Sequence, residues 1–324
     1  MTKAIRIHET GGPEVMRWED VEVGRPGLGE VRLRHTAVGL NYIDVYHRSG
    51  LYPLPSLPVV IGREAAGVVE EVGAGVTSLK PGDHVAYVDP MGSYAEARLH
   101  PADRLVKLPE GMSDQTAAAM MLKGLTAQYL LRRTYRVQAS DTILVHAAAG
   151  GVGLILCEWA KHLGATVIGT VSTEEKAALA RQHGCDCTIL YTRENFVERV
   201  KEITGGSGVA VVYDSVGKDT FAGSLDCLRP LGMMVSYGNA SGKVPPFDIS
   251  ILMAKGSLFL TRPTLVTYTA TREDLETSSA ELFDVVGKGI VKIDVKQTYA
   301  LKDAAMAHRD LEARRTAGST VLLP

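Results

Sequence analysis

Apolar and polar residues alternate in short runs along the first third of the chain, and glycine and proline break them up. Glu30–Val38 alternates with a period of two, Val59–Val72 carries a second such region and Asp83–Val88 a third. That period predicts strands. Gly11-Gly12-Pro13, Gly73-Ala74-Gly75 and Pro81-Gly82-Asp83 mark turns. Short strands at this spacing predict a compact, mostly β domain over about the first 120 residues.

The pattern changes at Ser113. Ser113-Asp114-Gln115-Thr116 opens an Ala/Met-rich stretch that runs to Arg133 with apolar residues at helical spacing. From Asp141, strand, glycine turn and helix alternate. Strands are predicted at Thr142–His146, Thr166–Val171, Cys187–Leu190 and Val209–Asp214, and helices at Gly151–Leu163, Glu174–His183 and Arg193–Thr204. Further units extend to about Leu260, which implies a parallel sheet with helices on both faces. After Arg262-Pro263 the chain turns helical over Thr271–Gly287 and ends in the apolar strand Ser319–Leu323. There is no internal repeat and no low-complexity tract.

Length agrees with two domains, since 324 residues exceed what one core usually serves. A formal charge of −2 leaves no electrostatic footprint for nucleic acid or an anionic membrane. Apolar runs such as Thr142–Ala149 fall far short of the ~20 residues a membrane span requires. Met1-Thr2-Lys3-Ala4-Ile5-Arg6 puts charges where a secretory signal is apolar, so the cytoplasm is expected. The four cysteines, Cys157, Cys185, Cys187 and Cys227, contain no C-x-x-C and read as reduced, partly buried thiols.

The sharpest local signal is the run from Thr142 to Leu156, with Gly150, Gly151, Val152 and Gly153 between an apolar strand and an apolar helix. Glycines alone make only a turn. With that strand, that helix and a second strand at Thr166–Val171, they read as a dinucleotide site. Backbone N–H groups there approach a pyrophosphate at the positive end of a helix. An NAD site usually places an acid at the end of the second strand to bind the ribose. Here Val171 is followed by Ser172 and Thr173, then Glu174 and Glu175. The acids read either as ribose ligands or, in Ser172-x-x-Glu175, as a helix capping box. Small hydroxyls followed by Lys176 suit a 2′-phosphate better than a free ribose. His47, His100 and His146 have no partners at informative spacing and read as surface or strand histidines.

Ser140-Asp141-x-x-Leu144-x-x-x-Ala148-Ala149-Gly150-Gly151-x-Gly153 resembles the signature of the quinone oxidoreductase (zeta-crystallin-like) family of medium-chain dehydrogenase/reductases. Glu158 departs from it, standing where the family has glutamine. The resemblance covers the whole chain. Asn41 to Gly50 is similar to the family's N-x-x-D-x-Y-x-R-x-G segment, Ile61 to Gly67 to its G-x-E-x-A-G strand, and Lys123-Gly-Leu-Thr126 to the helix entering the cofactor domain. Val212 to Gly217 and Ser236 to Asn239 resemble the fourth and fifth strand ends, and Arg314–Pro324 resembles the closing strand.

The resemblance implies an α/β protein. A GroES-like β domain spans residues 1–122 and is completed by 263–324. A doubly wound, parallel-sheet Rossmann domain spans 123–262, with an active cleft between the two. It implies NADPH as cofactor, held by Gly150, Gly151, Val152, Gly153, Ser215, Tyr237 and Gly238. Asn41, Tyr46, Lys123 and Thr126 are expected at the nicotinamide end, and Ser172, Lys176, Tyr191 and Arg314 around the 2′-phosphate, with Arg315 as the neighbouring alternative. Asn41, Tyr46, Tyr52 and Thr126 are the expected catalytic residues, Tyr46 and Tyr52 lining the substrate opening. It also implies a homodimer pairing sheets edge to edge around Leu258–Arg262.

Zinc-dependent relatives carry a cysteine near position 41 and a G-H-E motif; this chain has Asn41 and Gly62-Arg63-Glu64. It also lacks the four-cysteine structural lobe, so no metal is expected. Without a Lewis acid, alcohol oxidation is disfavoured. A quinone is already electrophilic and needs mainly orientation toward the nicotinamide. Reduction of quinones is therefore the expected activity. The alternatives are reduction of the C=C bond of α,β-unsaturated carbonyl compounds and a non-catalytic, NADPH-binding role.

Overall fold

A computed structural model describes all 324 residues. The chain divides into two compact units. One comprises Met1–Lys123, Thr269–Phe283 and Ile293–Pro324, and the other Gly124–Tyr268 with Asp284–Lys292. The expected cut at residue 262 is thereby shifted, because residues 263–268 and 284–292 belong with the nucleotide-type unit. The Tyr268 ring stacks on Tyr129 with centroids 4.4 Å apart, and Arg133 donates to the Tyr268 carbonyl. The Lys292 amide donates to Glu158 at 2.7 Å.

In the first unit, a seven-stranded sheet runs in the order Val295–Ala300, Ser319–Leu323, Glu30–Leu40, Glu64–Val72, His84–Val88, Val106–Lys107, and Ala97–Pro101 also pairs with Glu30–Leu40. A smaller sheet joins Met16–Val21, Thr2–Ile7 and Val59–Val60. The expected region Val59–Val72 is thus two strands, separated by a turn in which Gly62 takes φ +92°. Glu30–Leu40 begins as an alternating strand and finishes fully buried. That change follows its partners, since only its end pairs with Ser319–Leu323. Ile5, Ile7, Leu33, Val38, Ile61, Val85, Tyr87, Leu105 and Leu322 form the core beneath both sheets.

The second unit holds a six-stranded, wholly parallel sheet. Its order is Cys187–Leu190, Thr166–Val171, Thr142–Val145, Val209–Asp214, Leu228–Ser236, Phe259–Thr261. Numbered within the unit this is 3-2-1-4-5-6, the doubly wound arrangement. The inner strands read as continuous apolar runs because both faces are covered. Leu144, Ile168, Val209, Val212 and Met234 are all wholly buried.

Element ends differ from the sequence pattern where a side chain claims the backbone. The helix expected from Arg193 begins at Phe196, because the Asn195 side chain accepts from the Val197 and Glu198 amides at 3.0 and 3.4 Å. The Ala/Met-rich helix is regular over Asp114–Tyr129 and ends in a π turn, Leu130–Thr134. No helix is long and apolar enough to cross a membrane.

Candidate active site

Strand order in the parallel sheet reverses between Thr142–Val145 and Val209–Asp214. Ligands of such sheets bind beyond the carboxyl ends of the strands at this point. Each nucleotide residue expected in this unit, Thr126 and Lys176 apart, falls at one of those ends, and Lys176 lies in the first turn of the helix Glu174–Gln182. Gly150, Gly151, Val152 and Gly153 follow the first strand, Ser172 the second, Tyr191 the third, Ser215 the fourth, and Tyr237 with Gly238 the fifth. Gly150 caps the helix Gly151–His162 without a side chain, so the first-turn N–H groups have no cap from it. A Cβ on Gly153 would lie 2.3 Å from the Ala147 carbonyl oxygen, which fixes glycine there. Ala147 itself is held in the left-handed region at φ +53°.

Behind the turn is a buried network that sequence reasoning missed. Asp214 Oδ1 accepts from the Val216 and Gly217 amides at 2.8 and 3.0 Å, and Oδ2 from Thr220 and Ser224 hydroxyls at 2.7 and 2.9 Å. Because Ser224 donates to Asp214, its oxygen accepts from His146 Nε2 at 3.0 Å, so His146 Nδ1 must accept from Thr170 at 2.9 Å. Burial lowers the pKa of His146, which keeps it neutral. The histidine is therefore a cross-brace under three strand ends. His47 and His100 are buried as well, so the surface reading fails for all three.

Where the adenosine end is expected, the helix Glu174–Gln182 is capped by Thr173, whose hydroxyl accepts from the Lys176 amide at 3.3 Å. The capping-box reading centred on Ser172 is corrected by one residue, because the strand runs through Val171 and leaves Ser172 in the turn. Glu175 is engaged by the Thr173 hydroxyl, which lowers its pKa. Glu174 points toward Arg193, 3.7 Å away. No acid caps the second strand itself. Arg315, the alternative to Arg314, is committed to Asp310.

The remaining expected residues lie in the first unit, except Thr126. Asn41 starts the seven-residue helix Tyr42–Arg48, with its amide donating to Asp44 at 2.9 Å. Its side-chain amide donates to Glu64 Oε1 at 2.8 Å, and Lys123 Nζ donates to the same oxygen at 2.8 Å. Glu64 Oε2 accepts from the Leu122 amide at 2.6 Å. Glu64 is wholly inaccessible. It is the organising residue, which sequence reasoning named in the G-x-E-x-A-G strand and opposite the zinc relatives' G-H-E motif but gave no role. A Cβ on Gly39 would come within 2.2 Å of both Glu64 Oε1 and the Ala118 carbonyl oxygen, so the strand passes the carboxylate only as glycine.

Tyr46 packs its ring 5.5 Å from Tyr42 and 5.0 Å from Tyr52, and the Tyr52 amide donates to the Tyr46 carbonyl at 3.0 Å. Arg63, at the position of the zinc relatives' histidine, pairs with Asp89 and reaches His47 Nε2 at 3.3 Å. No group of three or more His, Cys, Asp or Glu side chains is arranged to hold a metal. Thr126 stands one helical turn beyond Lys123, in the second unit, and the unit boundary falls within their shared helix.

Two family models match the chain. The alcohol dehydrogenase GroES-like domain covers residues 27–110 and the zinc-binding dehydrogenase model covers residues 151–283. A quinone oxidoreductase of Pseudomonas aeruginosa is 54% identical over the full length of both chains. The chain belongs to the quinone oxidoreductase family. A second relative of this family member, the 2-haloacrylate reductase of a Burkholderia species, is 52% identical over all of this chain and 99% of its own. The crystal structure of Escherichia coli quinone oxidoreductase complexed with NADPH superposes with a TM-score of 0.98 at 50% identity, over 99% of this chain and 100% of that one.

Proposed function

We propose that the protein reduces quinones with NADPH by direct hydride transfer. The observation that carries this is the glycine turn at the sheet's switch point, followed at the second strand end by Ser172, Thr173 and Lys176 in place of an acid. The chain's residues fit the nucleotide. The Gly153 approach leaves no room for a side chain, and the capless first turn presents N–H groups to a pyrophosphate. When bound, NADPH supplies the hydride, and the chain supplies orientation. Asn41 and Lys123, fixed on one carboxylate oxygen of Glu64, would hold the nicotinamide end together with Thr126. Tyr46 and Tyr52 would face the acceptor. Relatives named as quinone oxidoreductases, and the NADPH complex of one of them, support the reading.

The 2-haloacrylate reductase relative favours a second reading, reduction of an activated C=C bond. Steady-state NADPH oxidation with a panel of quinones and α,β-unsaturated carbonyl compounds separates the two. Quinone turnover is expected to dominate. Turnover of the unsaturated carbonyls alone would replace the first reading with the second, and NADPH binding without turnover of either would leave a non-catalytic role.

Tyr46→Ala is expected to lower kcat/KM for quinone by about 10²-fold, the size of effect seen when a positioning group is lost. Wild-type kinetics in a folded variant would reduce Tyr46 to packing. Lys176→Ala and Arg314→Ala are expected to weaken NADPH binding about tenfold each, since a charge-assisted contact to phosphate contributes roughly 1.5–3 kcal/mol. NADH, which lacks the phosphate, should bind nearly unchanged. Fluorescence titration with both nucleotides checks this, and equal losses would remove these residues from 2′-phosphate recognition.

The protein is further proposed to be a homodimer. Phe259–Thr261 is the last strand of its sheet, and Phe259, Met253 and Leu231 are exposed on the same unit. An uncovered strand edge with apolar neighbours suits pairing with a second copy. Four free cysteines agree with the reducing cytoplasm as its place of action.

A further inference from the structure

The helix Tyr42–Arg48 has seven residues, too few to be stable without tertiary support. Its position is therefore set by whatever holds it from outside. Arg48, its last residue, is buried to 2% exposure and donates twice to Glu312, at 2.9 Å on each oxygen. The same guanidinium donates to His308 Nδ1 at 3.0 Å and to the Gly11 carbonyl at 3.1 Å. Both His308 and Glu312 lie on the helix Ala304–Glu312.

The directions of these bonds form one chain. An arginine has no acceptor, so His308 Nδ1 accepts and its proton resides on Nε2. Nε2 donates to the Tyr94 hydroxyl at 3.0 Å, and Tyr94 in turn donates to Asp44 Oδ2 at 3.0 Å. Asp44 Oδ2 also accepts the Asn41 amide, while Asp44 Oδ1 is buried with no hydrogen-bond partner. The line Glu312–Arg48–His308–Tyr94–Asp44 thus grips the short helix at its third residue and at its last. Burial and the facing Arg48 push His308 down to about 3, so it keeps this tautomer throughout the neutral range. None of these groups is among the residues assigned to nucleotide or acceptor.

We propose that His308 and Glu312 are positioning residues for the acceptor side of the reaction, acting through Arg48, Tyr94 and Asp44 on the helix that carries Tyr46 and is entered at Asn41. The assignment rests on the proposed quinone reductase reading. The amide side chain of glutamine can accept from Arg48 and donate to Tyr94 at once, whereas leucine can do neither. His308→Leu should therefore disturb the helix, and His308→Gln should restore it.

Two measurements on the full-length protein test this. In His308→Leu, hydrogen exchange over residues 42–48 is expected to accelerate, with the Thr142–Asp214 strands unchanged. KM for quinone should rise about tenfold, with NADPH affinity by fluorescence held within about twofold and kcat less affected. Glu312→Ala should move both readouts the same way, and His308→Gln should return KM to within about threefold of wild type. Unchanged exchange over 42–48, or an unchanged quinone KM in a variant that has merely lost melting temperature, overturns the proposal. Equal weakening of NADPH and quinone also overturns it. A wild-type protein inert toward quinone would instead refute the functional reading, and exchange over 42–48 would then decide the positioning claim by itself.

Discussion

Glu64→Ala is expected to destabilise the protein by about 3–5 kcal/mol, because it strips the ion-pair partner from a buried lysine. The side chain of Lys123 is 7% exposed, and Glu64 is its ion-pair partner at 2.8 Å. The same substitution leaves the Asn41 side-chain amide and the Leu122 N–H without the carboxylate they now use. Urea unfolding of the variant measures the loss. The double variant Glu64→Leu with Lys123→Met removes both charges together and should recover much of the stability while losing nicotinamide-end binding. A single-variant cost below about 1 kcal/mol would show that Lys123 finds water or another partner, and that Glu64 does not organise the site.

That carboxylate also shows how much could be read in advance. The two units, the glycine turn and the strand-end positions were legible because they depend on local pattern: period two, period 3.6, and glycine where strand meets helix. The role of Glu64 was not legible from its own strand. Its signal was present, since Glu64 precedes Ala65 and Ala66 in a strand, and Lys123 sits in an Ala/Met-rich helix. A charge inside each of two apolar runs is what a buried pair looks like in sequence. What the sequence did not give was that strand and helix meet. His146 was missed for the same reason, its partners Thr170 and Ser224 being 24 and 78 residues away. The cap on the Glu174 helix was misplaced by one because Ser172 and Thr173 are chemically alike, and only the length of the preceding strand decides between them. Lys292, 134 residues from Glu158, shows why the domain boundary could not be drawn to the residue.

Stability should fall steeply below about pH 6.5. His35, His100 and His308 are buried, and desolvation pushes each from the ordinary 6.5 down to about 3. In the unfolded chain each takes up a proton as pH drops through 6.5, while the folded protein refuses it until about 3. Their contribution is therefore full above pH 6.5 and is lost as pH falls through that window. Asp44 works the other way. Burial raises it to about 7 from 3.8, so between those values the folded state holds a proton that the unfolded state has released. Three protons against one leave a net two, or roughly 3 kcal/mol per pH unit between pH 6 and 4. That loss, about 6 kcal/mol over the two units, is enough to unfold by about pH 4 a domain at the lower end of the usual 5–15 kcal/mol and to leave a more stable one much weakened. Urea midpoints at pH 7, 6, 5 and 4.5 would show this. His100→Leu, at a ring whose centroid lies 4.1 Å from that of Tyr87, should flatten the slope by about one proton. A midpoint constant from pH 7 to 4.5 would mean these imidazoles are open to water.

The pairing of Ser319–Leu323 with Leu40, Gly39 and Val38 spans almost the whole chain. On a ribosome, the strand Glu30–Leu40 is among the first made, and its partner is among the last. At about 5–20 residues per second the interval is on the order of 15–60 s. Throughout that time the early sheet lacks an interior member and shows an apolar edge, whereas the parallel sheet, continuous in sequence from Thr142 to Thr261, has all of its strands once Thr261 is made, before synthesis reaches Ser319. The later-made unit is thus positioned to mature first during synthesis, and the nascent N-terminal segment is the part that calls for a chaperone.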